Sequence, residues 1–173
     1  MNTDSRKRAR TTSQTRVTTL VADDSPFMLK TLSQILEKAG NFDLVGTATD
    51  GRQALRHVTM LSPGLVLMDL HMPHLNGINA TRCIKEREHP PVVIIITSDD
   101  SFAAREMAEE AEADAFVSKG GNLRCELLSV LQNLFGPHGE RREAPGGISY
   151  ENGRAGCLNQ VRTVRHEPEE VSL

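Results

Sequence analysis

Leu65-Val66-Leu67-Met68-Asp69-Leu70-His71-Met72-Pro73 is the stretch that decides the fold. Four apolar residues in a row predict a strand buried on both faces, and the acidic residue that follows marks its carboxyl end. Asp69 is thereby carried to the rim of a sheet. Open α/β sheets bind ligands outside the carboxyl ends of their strands, so a carboxylate there is placed for chemistry. What shares that rim follows from the flanking sequence.

Upstream, the β-branched run Val17–Ala22 (VTTLVA) stops at Asp23-Asp24, and Ser25-Pro26 supplies an N-cap with proline at the first helical position. Phe27, Met28, Leu32, Ile35 and Leu36 fall mostly on one face of the helix that follows, and Gly40 is its stop. Residues 42–48 predict a second strand and Asp50-Gly51 a turn and cap. Ala54, Leu55, Val58 and Leu61 form the inward face of a second helix, which Pro63-Gly64 ends. Downstream of the central strand, a loop bearing Pro and Gly leads to a helix over about 75–88, with Ile78, Ala80, Cys83 and Ile84 available for the core; His89-Pro90-Pro91 breaks it.

Residues 92–96 predict a fourth buried strand ending at Thr97-Ser98. A helix over about 100–112 follows, rich in Ala and Glu and short of large apolar residues, so its docking should be weak and it is a candidate moving part. A short fifth strand over 113–118 ends at Lys119. Gly120-Gly121 turns the chain, and Asn122 is placed to cap a helix with Leu123, Leu127, Leu128, Val130, Leu131 and Leu134 on its apolar face. Strict alternation of five strands and five helices predicts an α/β fold: a doubly wound, five-stranded parallel sheet of flavodoxin-like order 2-1-3-4-5.

Composition agrees with one domain and two tails. Of 173 residues, 38% are apolar and 25% charged, ordinary for a soluble globular chain. Residues 1–16 carry five Lys/Arg and one Asp and read as a disordered basic tail; residues 136–173, with five Arg and six Glu, read as a mostly disordered C-terminal tail. The domain spans 17–135 and is acidic, which argues against direct DNA binding. A helix-turn-helix output domain needs roughly 60 residues with three periodic helices, which the C-terminal tail lacks. Cys83, Cys125 and Cys157 are far apart without a C-x-x-C pair, fitting a reduced, cytoplasmic setting. The longest strictly apolar run, residues 92–96, falls far short of the ~20 residues of a spanning helix, so no membrane segment is expected.

Four strand ends thus present Asp23-Asp24, Asp69, Thr97 and Lys119. Singly, the aspartate pair reads as a helix cap, Lys119 as a solvated surface residue, Thr97 as a strand-end cap and Phe116 as a core aromatic. Jointly they describe a site, because strands one and three are neighbours at the switch point and their three carboxylates converge. Such carboxylates repel unless a cation neutralises them, and an all-oxygen set favours Mg2+. A magnesium ion beside one carboxylate suits phosphoryl transfer to that carboxylate, with a hydroxyl and an ammonium on the remaining phosphoryl oxygens. Neither a Walker loop nor G-x-G-x-x-G occurs, so a nucleotide donor is not expected. His57, His74, His89, His138 and His166 show no ligand spacing and read as surface residues.

These residues resemble the receiver domain of two-component response regulators. The match comprises Asp23-Asp24, the D-x-x-M-P-x-x-x-G loop of Asp69, Met72, Pro73 and Gly77, the pair Thr97-Ser98, and Phe116 three before Lys119. The resemblance implies that Asp69 is the phospho-acceptor and that Asp24, Asp69 and the backbone carbonyl of His71 bind Mg2+ directly, with Asp23 acting mainly through metal-bound water. It also implies that Thr97 and Phe116 couple phosphorylation to the face of helix four, strand five and helix five, and that His71 and Asp99 tune dephosphorylation. Tyrosine is common in the family where Phe116 stands, and proline often follows the lysine where Gly120 stands here.

The implied partners are a sensor histidine kinase or histidine phosphotransfer protein and a downstream protein target, and a phosphorylation-dependent dimer is allowed. The expected role is a stand-alone receiver that is no enzyme beyond its own Mg-dependent phosphorylation and dephosphorylation. The alternative is the receiver part of a transcription regulator lacking its DNA-binding domain. Haloacid-dehalogenase-like phosphatases fit poorly, because His71 stands where they need a second Asp. A flavodoxin-like electron carrier also fits poorly, because two aspartates stand where it needs a hydroxyl-rich phosphate loop.

Overall fold

The computed structural model describes residues 16–136, 148–150 and 161–163. Five parallel strands, β1 (Val17–Ala22), β2 (Phe42–Ala48), β3 (Leu65–Asp69), β4 (Val92–Thr97) and β5 (Ala115–Ser118), lie in the order β2-β1-β3-β4-β5. Between and after them run α1 (Pro26–Ala39), α2 (Gly51–Leu61), α3 (Gly77–Lys85), α4 (Phe102–Glu110) and α5 (Leu123–Phe135). The expected α/β architecture and strand order are both present. Two three-residue strands, β6 (Ile148–Tyr150) and β7 (Val161–Thr163), pair antiparallel within the stretch expected to be mostly disordered. The rest of that expectation, and nearly all of the expected N-terminal tail, lies outside the described residues.

The sheet separates two cores. One face packs Val21, Leu67, Ile94, Ile96 and Val117 against α1 and α5; the other packs Leu20, Val66, Met68, Val93 and Ile95 against α2, α3 and α4. Strands β3 and β4 are buried along their whole length, as a parallel strand covered on both faces must be. Each fully buried Leu or Ile contributes about 1.5–3 kcal/mol, so these two strands anchor the domain.

The structure corrects several details at helix surfaces and ends. Helix α3 starts at Gly77, because Asn76 caps it by accepting the Asn79 N–H at 2.9 Å, and it ends at Lys85. Helix α4 is shorter than expected at both ends, since Ser101 caps it at Ala104 N, 3.2 Å away. Strand β5 begins two residues late, after Glu112 turns the chain at φ 59°. Asn122 makes no side-chain cap, and Leu123 and Leu128 are only partly buried. Phe27 (74% exposed), Leu61 and Cys83, all expected inward, face solvent. Each sits at the edge of an apolar stripe, where one step of helical rotation decides burial. His57, expected on the surface, is half-buried and its Nδ1 is covered beside Gly46 without a hydrogen-bond partner.

The loop after β3 is held from two sides. Gly77 N–H donates to Leu70 O at 2.9 Å, and Gly51 N–H donates to Leu75 O at 3.0 Å. Both glycines are required by proximity: a Cβ on Gly77 would stand 2.0 Å from Asp69 O, and one on Gly51 would stand 2.4 Å from Leu75 O. Backbone cannot yield as a flexible side chain can, so Gly77→Ala should destabilise the domain by about 1–3 kcal/mol. Urea unfolding monitored by circular dichroism measures this; an unchanged midpoint would contradict the close approach.

Candidate functional site

Parallel strands point their carboxyl ends the same way, so β1, β3, β4 and β5 deliver their terminal residues to one rim. Ala22 pairs with Met68, Asp69 with Ile96, and Thr97 with Ser118. The residues just beyond or at these ends are Asp23, Asp24, Asp69, Thr97 and Lys119. Asp23 and Asp69 are buried, Asp24 is exposed, and oxygens from all three carboxylates lie within 4.8 Å of one another.

Lys119 ties two of them together. Its Nζ stands 2.8 Å from Asp69 Oδ1 and 2.7 Å from Asp23 Oδ2. The second contact is an ion pair without a well-angled hydrogen bond, so Asp23 Oδ2, wholly shielded from solvent, keeps unused acceptor capacity. Burial works against the Lys119 ammonium, yet its close contacts with the Asp23 and Asp69 carboxylates outweigh this and hold its pKa above the usual lysine range. For Asp69 the balance runs the other way: burial, reinforced by the charge of Asp23, raises its carboxyl above the usual range despite Lys119 and the backbone of His71.

Three carboxylates and one ammonium leave an excess of two negative charges. An octahedral Mg2+ with oxygens at ~2.0–2.1 Å spans up to ~4.2 Å between opposite ligands. The three carboxylates are thus close enough together to share one such ion. The all-oxygen donor set, the uncompensated charge and the free acceptor capacity of Asp23 Oδ2 all fit a hard divalent ion.

The other expected residues surround this cluster at different distances. Thr97 is fully buried and its Oγ1 accepts the Asp99 N–H at 3.1 Å, while Thr97 O accepts the Lys119 N–H at 2.7 Å. His71 and Asp99 lie in the loops after β3 and β4, with His71 Nε2 3.8 Å from Asp99 Oδ2. Hydrogen bonds from Ser101, then the nearby His71, hold the Asp99 carboxyl below the usual range. Phe116 faces the α2–α3–α4 core from β5, apart from the acidic cluster. Sequence reasoning missed Arg105, whose guanidinium lies 4.5 Å from the centre of the Phe116 ring. The available signal was that Arg105 is the one basic residue of α4.

The raised carboxyl of Asp69 has a consequence for stability. The unfolded chain releases this proton at lower pH than the folded one, so without a cation the domain loses stability as pH rises through that interval and stays weakened at neutral pH. Asp69→Asn removes the repulsion with Asp23 and leaves Lys119 its other partner. In EDTA at neutral pH it should be more stable than the parent by about 1 kcal/mol in urea unfolding. A less stable variant would mean that the Lys119 pair outweighs burial.

Comparisons with known proteins agree with this geometry. The family model described as the response regulator receiver domain matches residues 19–131. A protein-glutamate methylesterase/protein-glutamine glutaminase of Halobacterium salinarum is 40% identical over 117 residues, 66% of this chain and 33% of that protein. The chain spans about a third of the length of the curated relatives it matches. Among solved structures, the response regulator domain of Thermotoga maritima CheB is 30% identical with a TM-score of 0.61, covering 68% of this chain and 92% of that one. A CheX–CheY–BeF3–Mg2+ complex from Borrelia burgdorferi aligns at 26% identity and TM-score 0.63, covering 69% and 89%. No helix among the described residues is long and apolar enough to cross a membrane. With its strand order, its acidic rim and the match across residues 19–131, the chain belongs to the response regulator receiver domain family.

Proposed function

We propose that this domain receives a phosphoryl group on Asp69 from a sensor histidine kinase or histidine phosphotransfer protein and passes the state on through protein contacts. The observation that carries this reading is the Lys119 ammonium bridging Asp69 and Asp23 at the strand tips. An Asp69 carboxylate oxygen attacks phosphorus, the bond from phosphorus to the donor imidazole nitrogen breaks, and its electron pair returns to the ring. Lys119 then exchanges its contact with Asp69 for a phosphoryl oxygen, acting as a point charge. Asp24, Asp69 and the His71 carbonyl would hold Mg2+ directly, and Asp23 through water. When bound, the ion supplies charge neutralisation at the transferring group.

Thr97 is the residue that reports the new charge. Phosphorylation adds about one negative charge and three acceptor oxygens, which compete for a hydroxyl that otherwise accepts from Asp99 N–H. Its donated proton turns to the phosphoryl group, and the Phe116 ring adjusts to the altered space. A coupling of ~1–3 kcal/mol is typical of such switches. Asp99, ionised and beside His71, is placed to assist the water that hydrolyses the aspartyl phosphate. The methylesterase relatives suggest a second reading, in which this domain acts on an enzymatic partner; their 40% identity across the matched residues supports it.

Incubation with acetyl phosphate and MgCl2, followed by intact-mass spectrometry, should add one phosphoryl group to the parent and none to Asp69→Asn. Replacing MgCl2 with EDTA should abolish the gain. A phosphoryl group on Asp69→Asn would overturn the assignment. Asp99→Ala, phosphorylated and then stripped of donor, should keep its phosphoryl group several-fold longer than the parent; an equal half-life would remove Asp99 from the hydrolytic step.

A further inference from the structure

Helix α4 is weakly anchored by apolar packing. Its buried residues are Ala104 and Ala108, while its large apolar residues Phe102 (80% exposed) and Met107 face outward. Arg105 makes a contact of a different kind. Its guanidinium lies over the Phe116 ring, 4.5 Å from the centroid, and that ring is only 6% exposed. The same guanidinium is the nearby charge that opposes the effect of burial on Glu126 in α5, the helix that follows Ser118. Ser118 is the register partner of Thr97. One side chain of α4 therefore meets β5 through a ring, and its charge is felt by a carboxylate of α5.

We infer that Arg105 is a positioning residue that couples helix α4 to the Phe116 ring, so that a movement of the ring on phosphorylation of Asp69 is transmitted to the helix. This rests on the phosphorylation reading above. Phenylalanine has no hydroxyl with which to choose between inward and outward partners, so the polar preference of this ring comes from the cation on its face. A planar guanidinium stacks on a ring where a lysine ammonium supplies only a point charge, so the two are not interchangeable here. Since α4 buries only two alanines, displacement of the ring costs little packing in the helix that follows it.

Hydrogen exchange of residues 102–110 in the whole chain, with and without acetyl phosphate and MgCl2, tests the coupling, with phosphorylation measured by intact mass in the same samples. In the parent, phosphorylation should alter exchange across α4. Arg105→Met should accept the phosphoryl group to the same extent, show parental α4 protection before phosphorylation, and reduce the phosphorylation-dependent change by about threefold or more. Arg105→Lys should recover part of it. A change of parental size in fully phosphorylated Arg105→Met would overturn the inference. Loss of α4 protection in that variant before phosphorylation would also overturn it, by showing a merely structural role. A parent that gains no phosphoryl mass would instead refute the phosphorylation reading, and the coupling with it.

Discussion

A single ammonium between two buried carboxylates is the constraint around which this domain is arranged. Lys119 reaches Asp23 and Asp69 only if β1, β3 and β5 end at the same level, and a parallel sheet meets that condition. Without the ammonium, the buried pair would lose the counter-charge that lies between them. Even with it, burial wins at Asp69, whose carboxyl stays raised. The rim is therefore under-neutralised in the free protein, and that deficit is what a divalent ion or a protonated partner can use.

Most of the architecture was legible in the sequence because the signals were local and strong. Residues 92–97 read VVIIIT, and a run so continuously apolar has few options other than a strand covered on both faces. Strand ends were equally plain, since Asp69 and Thr97 each interrupt an apolar run and Ser118-Lys119 closes a third. The rest depended on contacts between distant segments. Arg105 and Phe116 belong to different elements, and no periodicity relates them. The packing of Gly51 on Leu75 was invisible for the same reason: Asp50-Gly51 read as a turn and cap, whereas the missing side chain is needed for a backbone contact with another loop. The exposed Cys83 and Phe27 show the limit of helical periodicity itself, which gives a face but not its width.

The two ends of the sheet are built on opposite electrostatic terms. At the amino ends charges are matched: Lys85 pairs with Asp114 and also donates to Pro91 O, and Asp114 Oδ2 accepts the Val93 N–H at 2.7 Å. That pair ties the end of α3 to the starts of β4 and β5, with every partner satisfied by hydrogen bonds, which is the condition under which a shielded ion pair does not cost stability. Gly64 N–H likewise donates to Thr18 O at 2.8 Å, joining β1 to the turn before β3. At the carboxyl ends the charges are mismatched, since three carboxylates share one ammonium.

This asymmetry determines where the domain can move. A change of charge at Asp69 acts on the under-neutralised end, where Thr97 is held by one backbone donor and α4 buries only alanines. The matched end lies across the sheet from that change, where Lys85 and Asp114 hold each other and the starts of β4 and β5. Strands β3 and β4, buried throughout, keep the two ends in fixed register, so the response proposed above would fall on loops and on the helix nearest the mismatch. Under the proposed phosphorylation of Asp69, rigidity at one end would let a single added charge at the other be expressed as displacement of α4 rather than as loosening of the whole domain.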